Sequence, residues 1–151
     1  MQDRVGEAFI TTTANDVSGL PPEMLRAGRW DAVWWVDLPT ATERAEILAA
    51  ALRTHKHEAA EVDLLAVAKA TPEFSGAEIA ALVPTAMFTA FADGARPVVT
   101  DDLLAAAAET VPLSKTAKEN IAEMRNWAKG RARSASAPEA APATTGRALD
   151  L

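Results

Sequence analysis

Val33-Trp34-Trp35-Val36-Asp37-Leu38-Pro39, followed at once by Thr40-Ala41-Thr42-Glu43, is the stretch on which the fold turns. The first part is apolar almost without a break, which suits a strand covered on both faces, as in a parallel sheet. Pro39 ends it, having no amide hydrogen to donate. Thr40 and Glu43 then form a capping box, the hydroxyl accepting from the amide of residue 43 while the carboxylate reaches back to the amide of residue 40. Ala45, Leu48, Ala51 and Leu52 share a face at the 3.6-residue period, predicting a helix over about 41–54. A sheet layer therefore ends, and a helical one begins, near residue 40.

Upstream, Ala8-Phe9-Ile10-Thr11-Thr12-Thr13 is short, β-branched and apolar, and it runs into the turn-prone Asn15-Asp16, which reads as a second strand. Between the two strands, Pro22 suits the start of one or two helical turns and Gly28 their end. Downstream the helical pattern continues. Val62, Leu64, Leu65 and Ala68 predict a short helix before Pro72. Ser75-Gly76-Ala77-Glu78 is a second capping box, followed by Ile79, Leu82, Val83, Ala86 and Ala90 on one face, up to Gly94. Pro84 lies inside that pattern and predicts a kink near Ala80, whose carbonyl loses its partner. Thr100 is expected to cap the next helix, with Asp101 and Asp102 in its first turn where the dipole favours anions. Ser114 opens a last helix carrying Ala117, Ile121, Met124 and Ala128.

The fold class expected is thus an α/β fragment, the last strands of a parallel sheet, followed by an all-α layer and a disordered C-terminal tail. The divisions fall at 1–39, 40–111, 112–130 and 131–151, the last being rich in Ala, Pro, Ser and Thr and too polar to offset its ordering entropy. Two strands do not make a stable parallel layer alone. The sheet is expected to be completed by another polypeptide or by a segment upstream of Met1, and to expose apolar strand edges otherwise.

Composition narrows the function. The 151 residues carry 15 Lys plus Arg against 21 Asp plus Glu, a net charge of −6, of which −7 falls in residues 1–129. A free nucleic-acid-binding domain is disfavoured by that balance. Cys is absent, which removes disulfides, thiolate metal sites and thiol catalysis and fits a reducing, cytoplasmic setting. The first ten residues contain Asp3, Arg4 and Glu7, and no segment reaches about 18 consecutive apolar residues, so neither a secretory signal nor a membrane span is expected. His55 and His57, beside Lys56, read as loop residues and not as metal ligands, since a third ligand is wanting. Trp30, Trp34 and Trp35 read as residues buried against helices.

The order Thr12-Thr13-Ala14-Asn15-Asp16, Leu20-Pro21-Pro22-Glu23-Met24-Leu25-Arg26-Ala27-Gly28-Arg29-Trp30-Asp31 and Val36-Asp37-Leu38-Pro39 resembles the second half of an AAA-family ATPase over residues 8–111. In that family a strand ends in the first-sensor Asn, and Leu-Arg-x-Gly-Arg-Phe-Asp carries the arginine fingers; here Trp30 replaces the Phe. The resemblance implies a first-sensor role for Asn15, trans arginine fingers at Arg26 and Arg29, and a helical lid whose Gly76-Ala77 turn lies against adenine. It also implies ATP and Mg2+ as cofactors, and other AAA subunits as partners in a hexameric ring that remodels an unnamed protein substrate. The lid His of several members is Ala51 here, and the Gly76 segment has no second-sensor Arg. Residues 111–129 resemble the C-terminal helix of some bacterial members.

Physical chemistry supports these positions without deciding them. An amide at the carboxyl edge of a strand orients water or a phosphate oxygen, yet an Asn before Asp also caps its own turn. Arg26 and Arg29 flank Gly28, where two guanidinium groups can serve a neighbouring phosphate or simply cover surface, Arg29 pairing Asp31. Gly76 and Ala77 serve a close approach by a base, or only a helix start. Gly-x-x-x-x-Gly-Lys-Ser/Thr, which cradles phosphates, and an acidic strand end, which holds magnesium, are both missing from the 151 residues. The chain alone is therefore not expected to hydrolyse ATP. The alternative expectation is a non-catalytic helical module that docks on AAA subunits or another partner.

Overall fold

The computed structural model describes residues 8–17, 19–21, 23–24, 26, 28–56 and 61–136. Its element order is β1 (Trp34–Trp35), α1 (Ala41–Thr54), α2 (Leu64–Ala70), α3 (Gly76–Ala92), α4 (Thr100–Glu109), α5 (Leu113–Thr116), α6 (Lys118–Ala128) and β2 (Arg133–Ser134). The architecture is a small parallel strand pair joined to a helical layer, as the sequence implies.

Both capping boxes form. Thr40 Oγ1 accepts from the Glu43 amide at 3.3 Å while Glu43 accepts from the Thr40 amide at 2.8 Å. Ser75 and Glu78 repeat the pattern at 3.3 and 2.7 Å. In the principal contacts α1 packs on α2 and α3, and α4 on α2 and α3, so four helices close a ring around one core. Leu48, Leu52, Val67, Ile79, Leu82, Val83 and Leu103 are fully enclosed there. Each such side chain contributes roughly 1.5–3 kcal/mol by leaving water. The core lies in the helices and not at the strands.

Several expectations need correction. Ala8–Thr13 forms no strand; it is exposed and without regular structure, with Phe9 97% exposed. The parallel partner of β1 is β2, with Trp34 opposite Arg133 and Trp35 opposite Ser134. Extended apolar sequence marks a segment able to pair, but pairing is decided by what lies alongside, and here the chain's distal end does. The expected tail thus begins with β2, and its remainder, 137–151, lies outside the described residues. Trp34 is 57% and Val36 74% exposed, so the strand is not covered on both faces within this chain.

Among the described residues, 20–29 make successive i,i+3 turns instead of a helix: Met24 donates to Pro21, Arg26 to Glu23 and Arg29 to Arg26. Pro22, the proposed start, lies outside the described residues, as does His57. α3 continues through Pro84 as one helix. Ile79, Leu82, Val83, Ala86 and Ala90 are buried on both sides of the proline, so one packed face spans it. Thr100 is the first residue of α4 and not its cap. Its hydroxyl accepts from the Asp63 amide at 2.9 Å, tying α4 to the start of α2, while Asp102 accepts from the Val99 amide at 3.0 Å.

Candidate functional site

The turn carrying Arg26 and Arg29 is shaped by two features. Gly28 has φ 87°, a left-handed conformation that strains any side chain. Trp30 Nε1 donates to the Met24 carbonyl at 2.8 Å, folding the segment back on itself. Arg26 and Arg29 therefore leave one tight turn, and both are exposed. Arg29 makes no ion pair with Asp31, and among the described residues neither guanidinium has a hydrogen-bond or ion-pair partner. Asn15 sits in an exposed bend beyond the 8–13 segment, which has no regular structure. Among the described residues no side-chain bond links Asn15, Arg26 and Arg29 to one another or to Gly76-Ala77.

At the start of α3, Gly76 is half-buried and Ala77 exposed. A Cβ at Gly76 would meet Ile47 Cδ1 at 3.4 Å, an ordinary contact, so α3 begins beside α1 with room for a small side chain. The Glu78 carboxylate occupies this end. It accepts from the Ser75 amide at 2.7 Å, the Ser75 hydroxyl at 2.8 Å and the Leu113 amide at 2.6 Å. Burial alone would raise its pKa, but those hydrogen bonds hold it below the usual carboxylate range. A negative charge is thus fixed beside the Gly76-Ala77 turn.

Three polar arrangements escaped the sequence reading. Arg44 in α1 is buried, donating Nε and Nη2 to the Ala68 carbonyl at 3.0 and 2.9 Å and Nη1 to the Pro39 carbonyl at 2.7 Å. Its position four residues before Leu48, on the apolar face, was the available signal. Arg96 pairs Asp93 at 2.6 Å and grips Asp102 at 2.6 and 2.8 Å. Arg125 of α6 grips Asp37 at 2.8–3.0 Å. The Arg125–Asp37 pair, 88 residues apart, is too distant to be read from spacing.

His55 is an exposed C-cap of α1, and Ala51 packs against the core. Among the described residues no helix is long and apolar enough to cross a membrane.

Residues 61–105, spanning α2, α3 and the first half of α4, match the AAA+ lid domain. The chain is 36% identical over 143 residues to an uncharacterized AAA domain-containing protein ycf46 of Pyropia yezoensis, covering 90% of this chain and 28% of that protein. It is 43% identical over 93 residues to an ATP-dependent zinc metalloprotease FtsH of Acidothermus cellulolyticus, covering 62% and 14%. A proteasome-activating nucleotidase of Aeropyrum pernix is 36% identical over 104 residues, covering 69% and 25%. The chain spans about a quarter of the length of the ycf46 relatives it matches. No solved structure matches it. The ring of four helices, the lid match and these relatives together place the chain in the AAA+ ATPase family, of which it carries the helical lid and the segment leading into it.

Proposed function

We propose that this chain supplies the first sensor, the arginine fingers and the lid of an AAA-type ATPase that remodels a macromolecular substrate in the cytoplasm. Asn15 orients the attacking water or the γ-phosphate. Arg26 and Arg29 reach from one subunit into the nucleotide site of the next, in a hexameric ring. Gly76 and Ala77 lie against adenine. ATP and Mg2+ are the cofactors, and they bind only together with the phosphate-cradling and acidic segments that these 151 residues lack.

The observation that supports this reading is the Arg26–Arg29 turn, in which Gly28 and the Trp30 bond expose two guanidinium groups that have no partner among the described residues, ahead of a lid. Exposed arginines without a partner in their own subunit are what a trans finger requires. The fit to the nucleotide is partial in the way the reading needs. On this reading adenine meets the α3 start, and the phosphates lie away from the Glu78 carboxylate, toward the strand side. When bound, Mg2+ and ATP supply the phosphoryl chemistry; the residues of this chain position and stabilise.

The test is to mix the chain with a separately expressed P-loop-bearing AAA segment and assay ATP hydrolysis of the assembled protein. Turnover is expected, and Arg29→Ala should depress it by about 10³ while leaving nucleotide binding nearly intact. Asn15→Ala should also lose turnover. Unchanged turnover in Arg29→Ala removes the finger assignment. Tight association with no turnover in the unsubstituted protein instead supports the docking module.

A further inference from the structure

Residues 113–136 leave the lid at Val111-Pro112 and return to the strand, and directional polar contacts hold them there. The Leu113 amide donates to Glu78 Oε1 at 2.6 Å. Arg125 grips Asp37 through Nε and Nη2. The Arg133 amide donates to the Val33 carbonyl and the Ala135 amide to the Trp35 carbonyl, each at 2.9 Å. The Arg133 guanidinium stands 5.9 Å from the centroid of the Trp34 ring.

Apolar adhesion along this path is thin. In α6 only Ala128 is buried, and Val111 and Leu113 are more than half exposed. A cavity of about 240 Å³, walled by Leu38, Glu73, Ser114, Ile121 and Arg125, separates the segment from what it crosses. It has room for several waters, each occupying about 30 Å³ in the liquid. An element attached by polar bonds over a hydrated gap opens locally more readily than one sealed by a core.

The position of Asp37 gives that weakness a purpose. Pro39 is fastened to the lid by Arg44, and Thr40 by its capping box, so Val36-Asp37-Leu38 is the free connection between β1 and the lid. The Arg125 grip falls on that connection. We propose that residues 113–136 form a detachable strap that fixes β1 at one angle to the lid, with the Asp37–Arg125 pair as its latch. With the strap closed, strand and lid move as one body; with the latch broken, β2 leaves β1 and the lid turns about Val36–Leu38. This inference rests on the fold alone and stands whether or not the nucleotide reading does.

Backbone hydrogen exchange on the full chain tests it. In Asp37→Asn and in Arg125→Gln, the Arg133 and Ala135 amides should exchange about three- to tenfold faster, while α1 and α3 keep their protection. About 1 M salt should produce the same change in the unsubstituted chain, because the pair is partly exposed and therefore screened. The exchanged pair, Asp37→Arg with Arg125→Asp, should restore slow exchange. Unaltered Arg133 and Ala135 protection in both single variants overturns the proposal. So does a charge exchange that leaves these amides as fast as in the single variants, or a loss of protection that spreads equally through α1 and α3.

Discussion

Arg44 shows how one charged side chain sets the geometry of a joint. Burial of a guanidinium is tolerated because three of its N–H groups meet carbonyl oxygens, two bonds on Ala68 and one on Pro39. The same residue closes the end of α2 and anchors the chain where it enters the lid. Hydrogen bonds to charged groups contribute about 1.5–3 kcal/mol. Arg44→Leu should therefore destabilise the lid by about 2 kcal/mol and lower its melting temperature by roughly 10 °C. A calorimetric scan of the variant checks this, and an unchanged midpoint would show the bonds to be energetically idle.

Charge at Asp102 belongs to the same scale. Hydrogen bonds from Arg96 hold its carboxyl below the usual range, against the effect of burial and with help from the Val99 amide. A carboxyl depressed in the folded state adds stability that is present above its unfolded pKa of about 3.9 and fades as pH falls through the folded value. Asp37, Glu43 and Glu78 are shifted the same way. The urea midpoint of the chain should accordingly drop on acidification below about pH 4, and Asp102→Asn should flatten part of that slope. Equal slopes in the two proteins would assign the pH dependence to the other carboxyls.

Among the elements, α3 carries an unusual burden. Pro84 removes one backbone bond from a helix that stays continuous, and an unadapted interior proline costs about 3 kcal/mol. Replacing it recovers that bond but frees the unfolded chain, which offsets about 0.4–1 kcal/mol. Pro84→Ala should thus stabilise the lid by about 1–2 kcal/mol, read as a higher denaturant midpoint at constant slope. A destabilised variant would mean that the surrounding side chains are fitted to the proline ring.

What the sequence disclosed follows from the range of the interactions. Thr40, Glu43, Ser75 and Glu78 could be read in advance because a capping box closes within three residues, and the apolar faces of α1 and α3 because a helix makes its own bonds. The strand pair could not, since neither the lack of regular structure in Ala8–Thr13 nor the arrival of Arg133–Ser134 beside Trp34 is written locally. Site residues divide in the same manner. The Arg26–Gly28–Arg29 turn was visible as a motif, whereas the grip of Arg125 on Asp37 joins positions 88 apart in sequence.

On the scale of the whole chain, large apolar side chains remain on the surface. Among them are Phe9 in the segment before the turns, Val33, Trp34 and Val36 at and beside β1, and Phe88 and Phe91 on α3, the last two more than 70% exposed. Exposed apolar clusters of this kind drive association. Sedimentation of the chain should show larger species growing with concentration, and Val36→Lys should reduce them. A monomer at all concentrations would mean that these side chains find cover that the described residues do not provide.

The pairing of Trp34 with Arg133 also fixes an order of events. These partners lie about a hundred residues apart, while α1 to α4 meet over short loops. Contacts between distant positions form slowly, because the intervening chain must first be drawn in. The four-helix ring therefore assembles while β1 still has a bare edge, and the strand pair closes last. On a ribosome the delay is longer still, since Trp34 waits in the open until Arg133 has emerged, and that interval is when a chaperone or a partner strand meets it.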